Sequence, residues 1–246
     1  MLQCTGKFLF FVVAVTVATA RSADAAAAGE PAGEARAGVE TGAVFGKVSV
    51  MGSRQKRAPL PVFKNRGFCG TTVRDETLLI SSGGGLANAA VVLRPLEKRA
   101  PLPPGALILD NVHCAFAPHV QLASVGSELL LKNSDPILHT VHARLGDETL
   151  FNVGLPKWRQ VVKRLDRAGV IRINCDVLHT WMSAAILVTG SPHFALTDAN
   201  GDFKIKGLPL GDYDMEVWHE RLGWRRQRLS LSRATPISLD VVYAAQ

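Results

Sequence analysis

From Thr41 onward, short apolar runs are separated by Gly, Pro, Asn and Asp at intervals of about ten residues. No stretch carries the three-to-four-residue apolar repeat of an amphipathic helix. Punctuation this dense leaves one solution, short strands packed face to face in an all-β sandwich. In the first half it predicts strands at Val44–Val50, Leu78–Ser81, Ala89–Arg94, Ala106–Leu109, Val120–Ala123 and Glu128–Lys132. In the second half it predicts Thr140–Arg144, Gln160–Leu165, Val170–Cys175, Ala184–Val188, Asp202–Lys206, Tyr213–His219 and Pro236–Val242. The chain is 47% hydrophobic and 20% charged, enough apolar matter for packed cores and too much for a disordered chain.

The N-terminus reads differently. Lys7 precedes the apolar run Phe8–Val17, and Ala18-Thr19-Ala20 is a small-residue cleavage site. Residues 1–20 are therefore expected to be a cleavable signal peptide, and the run is too short for an integral membrane span. Residues 21–40, rich in Ala, Gly and Glu, are expected to be a disordered linker. Export places the mature protein in the periplasm or outside the cell, where disulfides persist. Lys7 is the only charge removed with the signal, so the net charge of +7 stays strongly positive. Much of it lies in two clusters, Arg54–Arg66 and Arg221–Arg233. No aromatic-interleaved basic motif appears, and an exported chain seldom meets nucleic acid. An acidic partner protein, a membrane surface or a merely solvated basic face fits better.

After cleavage three cysteines remain, Cys69, Cys114 and Cys175, so one thiol is left outside any internal disulfide. Cys175 ends the strand Ile171-Arg-Ile-Asn-Cys175, on the same face as Ile171 and Ile173, so its sulfur is expected to point inward. His179 and Met182 follow in the next seven residues, and His139 stands upstream. Two imidazoles, one thiolate and a weak thioether are the donors of a blue-copper electron-transfer site. Zinc accepts the same Cys and His. The bland alternative is a structural Cys175, disulfide-bonded to Cys69 or Cys114, with His179 an ordinary loop residue. His142 is three residues past His139 and faces the other side of the strand, so the two are not expected to share a metal. Trp181 falls between two proposed ligands, as shield, electron route or plain hydrophobic cover.

Phe116-Ala-Pro118, Gly126-Ser-Glu-Leu-Leu-Leu-Lys-Asn133 and Asn133-Ser-Asp135-x-x-x-His139, followed by Cys175, His179 and Met182 before the strand Ala184–Val188, resemble the cupredoxin pattern. The resemblance covers residues 105–190 and implies a Greek-key β-sandwich holding one copper ion through His139, Cys175, His179 and Met182. With Cys175 on the metal, the disulfide expected is Cys69–Cys114. The spacing departs from the plastocyanin-like C-x-x-H-x-x-x-x-M, because this chain has C-x-x-x-H-x-x-M. That spacing is similar to half of the binuclear copper motif of cytochrome oxidase, but Ile171 stands where that motif needs its first cysteine, so one ion is expected.

A second pattern, Thr197-Asp-x-x-Gly-x-Phe-x-Ile-x-x-Leu-Pro-x-Gly-x-Tyr213, resembles the carboxypeptidase regulatory-like domain, a small transthyretin-like β-sandwich. Gly42-Ala-Val-Phe-Gly-Lys-Val48 and Ala90-Val-Val-Leu93 are similar to its opening strands. The domain expectation is therefore residues 41–104 and 191–246 in the regulatory-like sandwich, with the cupredoxin-like unit inserted between them or packed in series. Asn200-Gly201 is expected to turn a hairpin. No nucleophile–base pair or carboxylate pair stands out, so no enzyme is expected. The expected function is one-electron transfer through one copper ion to an acidic redox partner. The alternatives are a copper-free secreted sandwich binding carbohydrate or protein, and a copper storage or delivery protein.

Overall fold

The computed structural model of the chain describes residues 40–52, 57–97 and 103–244. The expected signal peptide and all but the last residue of the expected linker lie outside them. The first elements are β1 (Thr41–Val50), β2 (Leu60–Pro61), the single-turn α1 (Arg66–Cys69), β3 (Thr72–Val73) and β4 (Ala90–Pro95). A central group follows: β5 (Ala106–Val112), β6 (Ala115–Ala117), β7 (Val120–Ser124), β8 (Ser127–Asn133) and β9 (His139–Leu145). It continues through β10 (Glu148–Leu155), β11 (Gln160–Leu165), β12 (Gly169–Asn174) and β13 (Ser183–Thr189). The last group is β14 (His193–Leu196), β15 (Asp202–Pro209), β16 (Gly211–His219), β17 (Gly223–Leu231), β18 (Ile237–Ser238) and β19 (Val241–Tyr243). The fold is all-β, and no helix among the described residues is long and apolar enough to cross a membrane.

The central strands form one sandwich. Its sheets run β10-β9-β12-β13-β7 and β11-β8-β5-β6, closed over Leu109, Phe116, Leu129, Leu131, Val141, Ile171, Ile173 and Ile186. We call it the site sandwich. The flanking sandwich is made from both ends of the chain. One sheet is β15-β1-β18 with β19 on β1, and the other is β14-β4-β16-β17. β1 pairs antiparallel with β15, and β4 pairs with both β14 and β16. The site sandwich therefore interrupts the flanking one in sequence. Residues 60–73 are an exception to this division: Val62 is buried in the core of the site sandwich, with Leu60, Cys69 and Val73 packed against it.

Two strands carry the junction. In β4, Val91 and Leu93 enter the flanking core while Ala90 and Val92 face the site sandwich. In β13, Ala184, Ile186 and Val188 enter the site core while Ala185 and Leu187 face Ala90, Val92 and Trp218. Strands buried on both faces read as unbroken apolar runs, and Ala-Val-Val-Leu and Ala-Ala-Ile-Leu-Val do. The result is four sheets separated by three apolar layers. At the junction the His119 imidazole also bonds the Glu220 carboxylate, which stands on the β16–β17 turn.

The expected hairpin at Asn200-Gly201 is absent. β14 and β15 lie in different sheets, so the turn carries the chain across the flanking sandwich. Asp198 Oδ1 accepts the amides of Asn200 and Asp202 at 2.8 and 2.9 Å, fixing that crossing. Gly201 is needed there for its φ of 82° and for space, because a Cβ would lie 2.3 Å from the Val48 carbonyl oxygen. The strand expected at Leu78–Ser81 is reduced to one bridge, Ile80 to Leu86.

Candidate metal centre

His139 is the first residue of β9, at the end of a loop that leaves β8 at Asn133. Asn133 is fully buried and builds that loop. Its side-chain amide donates to the Ile137 and Leu155 carbonyls, both at 2.8 Å, and its Oδ1 accepts the Asp135 amide at 3.0 Å. Asp135, 2% exposed, then gathers three donors. Oδ1 accepts the His113 amide at 2.7 Å, and Oδ2 accepts the Cys114 amide at 2.8 Å and His139 Nε2–H at 2.9 Å. His113 and Cys114 aim their amides at one carboxylate because both take positive φ, 52° and 59°.

Cys175 follows β12 and keeps the strand's inward face, 4% exposed beside Ile171 and Ile173. Two donors point at its sulfur, the Thr140 amide at 3.4 Å and the Thr140 hydroxyl at 3.7 Å. After Cys175 the chain turns outward, and Leu178 is 64% exposed with φ 68°. This left-handed residue returns the chain, and His179 points inward, 1% exposed. Its Nε2–H donates to Asn65 Oδ1 at 2.9 Å. The Met182 amide closes the turn on the His179 carbonyl at 2.9 Å.

The structure brings His139, Cys175 and His179 together. Sγ lies 4.0 Å from His139 Nδ1 and 3.7 Å from His179 Nδ1, and the two Nδ1 atoms are 3.1 Å apart. A neutral imidazole has one N–H. Here both are committed at Nε2, to Asp135 and to Asn65, which leaves two lone pairs facing each other beside a sulfur. Two lone pairs at that range repel unless a cation sits between them. A metal with bonds of about 2.0–2.3 Å to nitrogen and sulfur would span ligand separations of about 3.4–3.8 Å. The sides of the triangle, 3.1, 3.7 and 4.0 Å, lie on either side of that range, and its donors are of the types copper and zinc take. Burial disfavours the charged form of both imidazoles. It pushes His179 down to about 4, and the nearby Lys64 and any proton on His139 act the same way. It also lowers His139, outweighing the Asp135 carboxylate, which pulls the other way.

Of the other residues singled out by the sequence, Met182 is buried in the same core, 1% exposed. Trp181 stacks at a tilt 5.0 Å from the His179 ring and donates Nε1–H to the Cys114 carbonyl at 2.9 Å. Cys69 and Cys114 are joined in a disulfide, and Cys175 is free. Cys114 also lies close to Asp135 and His139, but its sulfur is committed to Cys69. His142 faces away, bonded to Asp176 and Thr149. Sequence reasoning missed Asn65 as a partner of the centre. It assigned no role to Asp135, although the four-residue step from Asp135 to His139 was there to be read.

No protein-family model matches the chain, and no curated protein matches it. Solved structures do. A purple cupredoxin from Nitrosopumilus maritimus is 19% identical, aligned over 35% of this chain and 99% of that one with a TM-score of 0.30. A mutant of amicyanin in its reduced state is 18% identical over 40% of this chain and 98% of that one, with a TM-score of 0.31. A copper-containing nitrite reductase from Thermus scotoductus SA-01 is 20% identical over 39% of this chain, with a TM-score of 0.32, and only 25% of that enzyme is covered.

Proposed function

We propose that the site sandwich is a cupredoxin-like module that holds one copper ion between His139 Nδ1, Cys175 Sγ and His179 Nδ1, with the buried Met182 as a weak fourth donor. The observation that carries this reading is the convergence of His139 Nδ1, His179 Nδ1 and Cys175 Sγ, 3.1, 3.7 and 4.0 Å apart, with both Nε2 atoms bonded elsewhere. When bound, copper supplies a one-electron couple. The protein's part is to hold the donors still, so that the two oxidation states need little rearrangement. Asp135 locks the tautomer and ring plane of His139. The Thr140 amide and hydroxyl donate to the Cys175 sulfur and fix its position. Trp181 and the apolar core keep water from the donors.

In this reading the protein is exported and passes single electrons to an acidic redox partner. The exposed arginines of β17, Arg225, Arg226 and Arg228, support the charge half of that pairing. The flanking sandwich is a regulatory-like, transthyretin-like module without chemistry of its own, serving as spacer or docking body. Titrating the purified protein with Cu(II) tests the core of it. One equivalent is expected to raise an intense visible thiolate-to-copper band, and Cys175→Ser is expected to abolish it. A wild-type protein that stays colourless and retains no copper overturns the reading in favour of a metal-free binding sandwich.

A further inference from the structure

His179 sits in a surface loop, yet its imidazole is sealed. Its neighbour Leu178 is 64% exposed while His179 is 1% exposed. Part of the cover comes from outside the site sandwich's own strands, from residues 60–73. That segment has little structure of its own. It is a two-residue ladder, Leu60 to Val73 and Pro61 to Thr72, around the single turn α1. A hairpin so short does not hold itself together in water.

Three attachments hold it down. Val62 is inserted into the site core, fully buried. The Cys69–Cys114 disulfide ties α1 to the β5–β6 turn. Asn65 Oδ1 accepts the His179 Nε2–H. Asn65 reaches it from a left-handed backbone, φ 57°, stabilised on the next turn by bonds from the Phe68 and Cys69 amides to the Asn65 carbonyl.

These attachments close a ring around the proposed metal position. From Cys69 the disulfide leads to Cys114, whose amide holds Asp135, which holds His139. From the same loop, four residues away, Asn65 holds His179. Both imidazoles are thus positioned, directly or through one carboxylate, from the two ends of a single cross-linked turn.

We propose that residues 60–73 are a cap fastened over the metal centre, in which Asn65 is the positioning residue for His179 and the Cys69–Cys114 disulfide is the anchor. The cap closes the solvent edge of His179 to water, chelators and direct contact by a partner, so copper leaves only when the cap lifts. This inference rests on the copper reading above and adds to it how access to the copper is controlled.

The test uses the full mature chain loaded with Cu(I) and mixed with an excess of a colorimetric Cu(I) chelator. Asn65→Gly removes the acceptor and keeps the left-handed backbone that Gly tolerates. Asn65→Asp keeps both the acceptor and the backbone. The double variant Cys69→Ser with Cys114→Ser removes the anchor. Asn65→Gly and the double variant are expected to release copper about tenfold faster or more, the scale at which outer partners of metal ligands act. Asn65→Asp is expected to stay close to wild type, within about threefold. Asn65→Gly is also expected to shift the thiolate-to-copper band of the oxidised protein, which a merely structural role would leave in place. Wild-type release rates in both Asn65→Gly and the double variant overturn the cap alone. A wild-type chain that takes up no copper overturns the copper reading, and the cap with it.

Discussion

The two sandwiches bury polar groups in opposite ways. In the flanking one, buried polar side chains close nearby backbone. Tyr213 donates to the Pro209 carbonyl at 2.5 Å, Tyr243 to the Val217 and Gly223 carbonyls at 3.1 and 3.0 Å, and Thr197 to the Leu86 carbonyl at 2.7 Å. Each donates to backbone carbonyls, and Thr197 Oγ1 also accepts the Ala89 amide at 2.9 Å. In the site sandwich, Asn133 and Asp135 spend their bonds on orienting a loop and an imidazole, and the imidazoles spend theirs on leaving two lone pairs face to face. One arrangement is complete without a ligand and the other is not. A packed core keeps such an incomplete arrangement only where something else completes it.

Equal damage to the two cores is the largest way to separate them. Leu131 and Met215 are fully buried, one in each core. Replacing either by Ala is expected to destabilise by about 2–5 kcal/mol, through lost burial and the cavity left behind. Leu131→Ala is expected to weaken copper binding as well, because β8 carries the loop that leads to His139. Met215→Ala is expected to leave the copper band in place. The check is chemical denaturation in parallel with copper titration. Equal loss of copper in both would mean that the three apolar layers act as one core.

Copper itself is expected to stabilise only one side. A ligand that binds only the folded state stabilises by about 4 kcal/mol at a thousandfold excess over its Kd. That gain is expected in wild type and absent in Cys175→Ser, as read from melting with and without Cu(I). Hydrogen exchange is expected to place the added protection in β9, β12 and the 175–182 loop rather than in β1 or β15.

The junction should titrate independently of the metal centre. His219 is 1% exposed and is pushed down to about 4 by burial, with the His119 and Arg221 charges acting the same way. Its fold-held state is neutral, so its contribution is complete above the unfolded value near 6.5 and is lost as pH falls from there towards 4. The size is on the order of 3 kcal/mol. His119 behaves oppositely. Burial alone would lower it, but the Glu220 carboxylate outweighs burial and raises it. Its contribution is complete below about 6.5 and is lost as pH rises through its elevated value. The pair is expected to give a stability maximum near pH 6.5. Glu220→Gln should flatten the alkaline limb and His219→Gln the acid one. Limbs unchanged by both variants would move the titration away from the junction.

What the sequence disclosed follows the same division. Strands buried on one or both faces were legible, because burial writes alternation or unbroken apolar runs into the chain. Gln160–Leu165 falls where it was expected, and β4 and β13 within a residue at each end. The edge strands β10 and β17 were not legible. β17, Gly-Trp-Arg-Arg-Gln-Arg-Leu-Ser-Leu, buries only its last leucines, so five consecutive exposed residues carry no period. Asn200-Gly201 misled because the same dipeptide serves a close backbone approach as well as a hairpin. At the centre, His139, Cys175 and His179 were legible as residue types in order. Asn65 was not, since it meets His179 across 114 residues and nothing near it in sequence hints at an imidazole.

Asp135 gives the smallest effect and the sharpest comparison, because it holds one imidazole by charge while Asn65 holds the other without it. Asp135→Asn keeps the size of the side chain. The residue's Oδ1 can still accept one amide, but its Nδ2 cannot accept from His139 Nε2–H or from the Cys114 amide. His139 is then free to turn or to change tautomer. Copper affinity is expected to fall by about 10–100-fold, or roughly 1–3 kcal/mol. The intensity of the thiolate band at saturation should stay near wild type, since Cys175 and its Thr140 donors are untouched. An Asp135→Asn protein with wild-type affinity would mean that the backbone of the Asn133–His139 loop orients the imidazole unaided. The carboxylate would then serve only the positive-φ turn at His113 and Cys114, and the site sandwich would bury its polar groups much as the flanking one does.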